Sequence, residues 1–124
     1  MRKRVLVVDP SLYSRMTLRD MLSCIGYSVA EASTGAQAIE ACRKLQPNIV
    51  MVDANAKDMD GAKAIEWMRR DDPSVVALIC ASSGQRNVIS QAFSAGAVGF
   101  CPKPYREKNV KAALRSIERQ PVFC

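Results

Sequence analysis

Asp9, Asp53 and Lys103 each stand directly after a short apolar run, and Ala81-Ser82-Ser83 follows another. Two carboxylates, a pair of hydroxyls and one lysine brought to one place suit a hard divalent cation together with a phosphoryl group. Carboxylate oxygens bind Mg²⁺, an ammonium neutralises a phosphate oxygen, and hydroxyls or backbone N–H groups hold the remainder. The chain has no histidine, which excludes a histidine general base, a His-containing zinc site and a histidine that carries the phosphoryl group. Cys24, Cys42, Cys80, Cys101 and Cys124 are odd in number and never spaced as Cys-x-x-Cys. They read as buried or idle thiols in a reducing compartment rather than as a metal or disulfide framework.

These residues converge only if the apolar runs are neighbouring strands. Val5–Val8, Tyr27–Ala30, Ile49–Val52, Val75–Cys80 and a weaker Gly99-Phe100-Cys101 alternate with helical patterns over 14–25, 35–45, 62–70 and 87–95. A last helix carries Val110, Ala113, Leu114 and Ile117 at i, i+3, i+4, i+7. Gly26, Asp60-Gly61, Asp72-Pro73 and Gly96 mark helix ends. Five strands alternating with five helices imply an α/β fold with a parallel sheet, right-handed crossovers and helices on both faces. In such a sheet ligands bind beyond the carboxyl ends of the strands, where the polar residues stand. The 124 residues are accounted for by one domain, 1–124, with no separate output domain.

Val5-Leu6-Val7-Val8-Asp9, Ile49-Val50-Met51-Val52-Asp53, Met59-Asp60-Gly61, Ala95-Gly96-Ala97 and Lys103-Pro104 together resemble the receiver domain of two-component response regulators, of the stand-alone chemotaxis type. The resemblance covers nearly the whole chain. It implies a doubly wound, flavodoxin-like (βα)5 fold with strand order 2-1-3-4-5. It implies that Asp53 is the phosphoacceptor, served by a partner histidine kinase, a phosphotransfer protein or a small phosphodonor. It further implies that Asp9, Asp53 and the backbone carbonyl of Asn55 hold Mg²⁺, and that Lys103, before a cis Pro104, pairs with the phosphoryl group. Ala81 falls at the family's Ser/Thr switch position and Phe100 at its switch aromatic. The fourth helix, fifth strand and fifth helix form the face for a downstream protein target or a homodimer.

Three departures bear on that chemistry. Pro10 replaces the second acid of the pair, so Mg²⁺ binding is expected to be weak. Ala81 has no hydroxyl, and Ser82 or Ser83 substitutes only if the loop shifts by a residue. The methyl of Ala81 leaves room for Phe100 to sit permanently inward. Ala56-Lys57 replaces the family's Met-Pro, a change expected to loosen the loop, and Lys57 and Asp58 read as surface loop charges. These departures keep a second reading open, a pseudo-receiver that binds proteins without phosphorylation. A flavin or nucleotide fold is disfavoured because Pro10-Ser11-Leu12-Tyr13 is not a Gly-rich loop.

The net charge of +6 is concentrated at the two ends of the chain. Residues 103–119 hold six Lys or Arg against Glu107 and Glu118, and Arg2, Lys3 and Arg4 add three more. An acidic protein partner is therefore expected rather than DNA, since the fold leaves no recognition helix. No apolar stretch approaches the ~20 residues that span a bilayer. The expectation is a cytoplasmic protein with no membrane association.

Overall fold

Runs such as Val5-Leu6-Val7-Val8 are apolar on both pleat faces, so they are stable only where both faces are covered. The computed structural model, which describes residues 3–118, places them in this way. The strands are β1 (Arg4–Val8), β2 (Ser28–Ala32), β3 (Ile49–Asp53), β4 (Val76–Ala81) and β5 (Gly99–Pro102). The helices are α1 (Leu12–Ile25), α2 (Gly35–Leu45), α3 (Gly61–Asp71), α4 (Arg86–Ser94) and α5 (Glu107–Glu118). All strand pairs are parallel and the order is β2-β1-β3-β4-β5. Arg2 and Cys124, named above for charge and thiol chemistry, and Arg119, counted there among the basic residues, lie outside the described residues.

Strand alternation divides the core into two layers. Leu6, Val8, Val50, Val52, Ala77, Ile79 and Ala81 face one side and pack with Ala38 and Cys42 of α2, Ile65 and Met68 of α3, and Ala92 of α4. Val5, Val7, Ile49, Met51, Leu78, Cys80 and Cys101 face the other, against Leu18 and Leu22 of α1 and Val110 and Leu114 of α5. Burying each large aliphatic side chain contributes about 1.5–3 kcal/mol. Among the described residues no helix is long and apolar enough to cross a membrane.

Helix ends follow local chemistry. Ser11, Thr34 and Asp60 accept hydrogen bonds from the backbone three residues on and start α1, α2 and α3. Gly26, at φ 119°, stops α1 in the left-handed region that favours glycine. The clearest difference from the expected boundaries is β2, which continues past Ala30 through Glu31 to Ala32. Glu31 looks like a strand break in one dimension. On this edge strand it is instead neutralised by Arg15 (3.0 Å) and Arg19 (3.2 Å) of α1.

Gly61 sets the distance between α3 and the end of β3. Its N–H donates to the Ala54 carbonyl at 2.8 Å. A Cβ there would overlap the Asp53 carbonyl oxygen and lie 2.9 Å from Ile79 Cδ1. Because one of the obstructing atoms is backbone, Gly61→Ala is expected to destabilise the fold by about 1–3 kcal/mol. Urea unfolding measures this, and an unchanged midpoint would contradict the close approach.

Candidate functional site

Asp9 leaves β1 and Asp53 ends β3, and the chain carries both into the crevice where β1 and β3 diverge toward helices on opposite faces. Asp9 is fully buried and Asp53 is 7% exposed. Two buried like charges repel, and a cation lies between them. Lys103 Nζ donates to Asp53 Oδ1 at 2.7 Å and to Asp9 Oδ2 at 3.0 Å. The remaining oxygens accept from backbone: Asp9 Oδ1 from Ser11 N at 2.9 Å, and Asp53 Oδ2 from Asn55 N at 3.1 Å. Lys103 is itself held from behind, its N–H donating to the Ala81 carbonyl at 2.9 Å, and the Lys103–Pro104 peptide is cis.

Burial pushes the Asp53 carboxyl above its ordinary value of 3.8; the Lys103 hydrogen bond and charge oppose this without cancelling it, and the Asp9 charge adds to it. For Lys103, burial alone would lower the ammonium, but its bonds to Asp53 and Asp9 prevail and raise it. The site therefore holds two negative charges against one positive, an arrangement that attracts a further cation. Asp9 and Asp53 offer carboxylate oxygens here, while Pro10 has no side-chain oxygen to add. A cation that retains several waters, as Mg²⁺ does, is compatible with so short a protein donor set. Among the described residues no three His, Cys, Asp or Glu side chains form a metal-ligand group.

The switch positions do not connect to this cluster as expected. Ala81 is buried opposite Pro102 and offers only a methyl. Ser82 is exposed, and its N–H (3.0 Å) and hydroxyl (3.3 Å) both reach Gln85 Oε1, so its hydroxyl is engaged at the start of α4. Ser83 is exposed as well. Phe100 is 36% exposed, which corrects the expectation of a permanently inward ring. Strand alternation sends Cys101 into the core and Phe100 to the other face, at the open edge of the sheet.

The loop after β3 is pinned rather than loosened. Lys57 has φ 76°, a conformation closed to proline, and its N–H donates to Asn55 Oδ1 at 3.0 Å, which proline could not do. Asp58 is not simply a surface charge. Its two oxygens accept from Gly35 N (2.7 Å) and Ala36 N (3.0 Å), capping α2 across 23 and 22 residues of sequence. Those bonds hold its carboxyl below the ordinary value. Arg15 is a second residue that the sequence reading missed: Nη1 donates to the Asp9 carbonyl at 2.8 Å while Nε holds Glu31. Only the i, i+4 placement of Arg15 and Arg19 on α1 hinted at this.

Two pH dependences follow from these shifts. Because folded Asp53 binds its proton more tightly than unfolded Asp53, native stability falls as pH rises from 3.8 through the raised folded value. Asp53→Asn is therefore expected to raise the melting temperature at pH 7, with the gain shrinking toward pH 3.8. A gain that persisted unchanged in acid would refute this account. For Asp58 the sign is opposite: the stability it provides is present above 3.8 and is lost as pH falls through its lowered folded value. Asp58→Ala should melt earlier than the parent at pH 7 and converge with it in strong acid. Equal melting at pH 7 would argue against the cap.

Comparison with known proteins agrees with this geometry. Residues 5–115 match the response regulator receiver domain family. The chemotaxis protein CheY of Thermotoga maritima is 37% identical over 120 residues, covering 96% of this chain and all of the relative. CheY of Bacillus subtilis is 34% identical over 115 residues, covering 92% and 96%. The structure of Vibrio cholerae CheY4 superposes with a TM-score of 0.86 at 22% identity, covering 93% of this chain and 98% of that one, and so supports the fold. Sequence and fold together establish that the chain belongs to the receiver domains of CheY-like response regulators in two-component signalling.

Proposed function

We propose that this chain acts as a single-domain response regulator in which Asp53 accepts a phosphoryl group with the help of Mg²⁺. The observation that carries this reading is the Lys103 ammonium bonded at once to Asp53 and Asp9. A carboxylate oxygen of Asp53 forms the new bond to phosphorus, and the donor's bond to phosphorus breaks with its electron pair leaving on the donor. The product is an acyl phosphate. Lys103, already 2.7 Å from Asp53 Oδ1, pairs with a phosphoryl oxygen. Asp9 orients Lys103 and, with Asp53 and the Asn55 carbonyl, would hold the metal. Bound Mg²⁺ would neutralise developing charge on the transferred group. Pro10 leaves that metal with one side-chain ligand fewer than the family provides, so binding is weak.

The chain has no histidine, so the phosphoryl group comes from another molecule, a histidine kinase, a phosphotransfer protein or a small acyl phosphodonor. The chain's own catalysis is confined to its phosphorylation and dephosphorylation. Its output is binding of a downstream protein, or of a second copy, through α4, β5 and α5. The excess of basic residues from Lys103 onward favours an acidic partner over nucleic acid. Ala81 and Pro10 favour a second reading, in which the domain binds its partner without phosphorylation.

Incubation with Mg²⁺ and a small acyl phosphodonor separates the two. The expected result is a mass gain of one phosphoryl group, lost on chelation of the metal and absent in Asp53→Ala. No gain at saturating donor and metal overturns the phosphoacceptor reading in favour of the pseudo-receiver.

A further inference from the structure

Lys103 has a third neighbour besides the two carboxylates. Its Nζ lies over the ring of Tyr105, 5.4 Å from the centroid, within the range of a cation–π contact. The Tyr105 side chain packs against the apolar layer between the sheet and α1 and α5, so the ring is fixed by the core. Its hydroxyl is different: it is buried against the Cys80 thiol, a weak partner, and meets no oxygen or nitrogen among the described residues. A buried hydroxyl whose neighbour is a thiol, and which does not reach the charge cluster, gains little from folding. The useful part of Tyr105 is thus its ring.

A lysine stem is long and flexible, and its ammonium can be held only by what surrounds it. In the unmodified site the carboxylates do this. Once an Asp53 oxygen is phosphorylated, the charge that held Lys103 moves outward onto the phosphoryl oxygens. The Tyr105 ring, fixed by the core, does not depend on that charge for its place. We propose that Tyr105 is a positioning residue whose ring face keeps the Lys103 ammonium over the Asp9–Asp53 pair, while its hydroxyl is dispensable. The proposal rests on the phosphoacceptor reading for its role in turnover, but the contact itself exists in the unmodified protein.

The test compares the native chain with Tyr105→Phe and Tyr105→Leu. In the unmodified proteins, the Lys103 ε-methylene proton resonances should be displaced upfield by the ring current in the native chain and in Tyr105→Phe, and should relax toward ordinary lysine values in Tyr105→Leu. With Mg²⁺ and an acyl phosphodonor, Tyr105→Phe should be phosphorylated within about twofold of the native rate. Tyr105→Leu should be slower by about 3- to 10-fold, the range a partly desolvated cation–π contact supports. A rate for folded Tyr105→Leu equal to the native one overturns the proposal, as does a Phe variant as slow as the Leu variant. If Tyr105→Leu does not fold, the native chain still decides: ε-methylene protons at ordinary positions overturn the proposal. Because the resonances are read without donor, absence of any mass gain in the native chain overturns the phosphoacceptor reading separately.

Discussion

Two carboxylates buried within reach of one ammonium are the constraint around which the rest of the molecule is arranged. Either aspartate alone, desolvated at the end of a strand, would be expensive to keep ionised. Together with Lys103 they form a compact cluster in which every carboxylate oxygen accepts a hydrogen bond. The backbone supplies the two bonds that the ammonium does not, from the first turns after β1 and β3. The compensation is deliberately incomplete in its chemistry: one positive charge does not neutralise two negative ones. Burial, which Lys103 does not fully offset and to which the Asp9 charge adds, keeps the Asp53 carboxyl raised, and a metal cation would relieve the remaining excess of negative charge.

Apart from Pro10, the departures from the family pattern fall on the link between this cluster and the surface. Ala81 offers no hydroxyl to a group on Asp53, Ser82 is committed to Gln85, and Phe100 is turned to the edge of the sheet. A modification can shift a conformational equilibrium only through an interaction that differs between its states. Here the elements that usually supply the difference are missing or engaged elsewhere. The loop after β3 is instead cross-bonded to α2 through Asp58, so the segment adjoining Asp53 is braced against a helix outside the α4–β5–α5 face.

The fold and the central residues were legible in the sequence because they depend on local patterns. Unbroken Val-rich runs, the terminal polar residues of β1 and β3, and the caps at Gly26 and Asp60 are visible in one dimension. What was not legible depends on distant partners. Glu31 looked like the end of a strand until the arginines of α1 were placed over it. Asp58 looked like a solvated charge because its partners lie 22 and 23 residues earlier. The orientation of Phe100 follows from β5 being the sheet edge, a property of strand order rather than of its own sequence. Tyr105 carries no sequence signal, since a lone aromatic after Lys-Pro is equally a core residue.

The bonds that close the site span 94 residues between Lys103 and Asp9 and 50 between Lys103 and Asp53. Closing such long loops carries an entropic cost that is recovered only when the distant contacts form. The lysine arrives directly after β5, the last strand among the described residues and a four-residue strand at the sheet edge. Until β5 docks, a chain that has already paired β1 with β3 holds two desolvated carboxylates and no cation between them. The charge cluster therefore acts as a check on completeness: a partly folded sheet is disfavoured at the very place where the finished one gathers its buried charges.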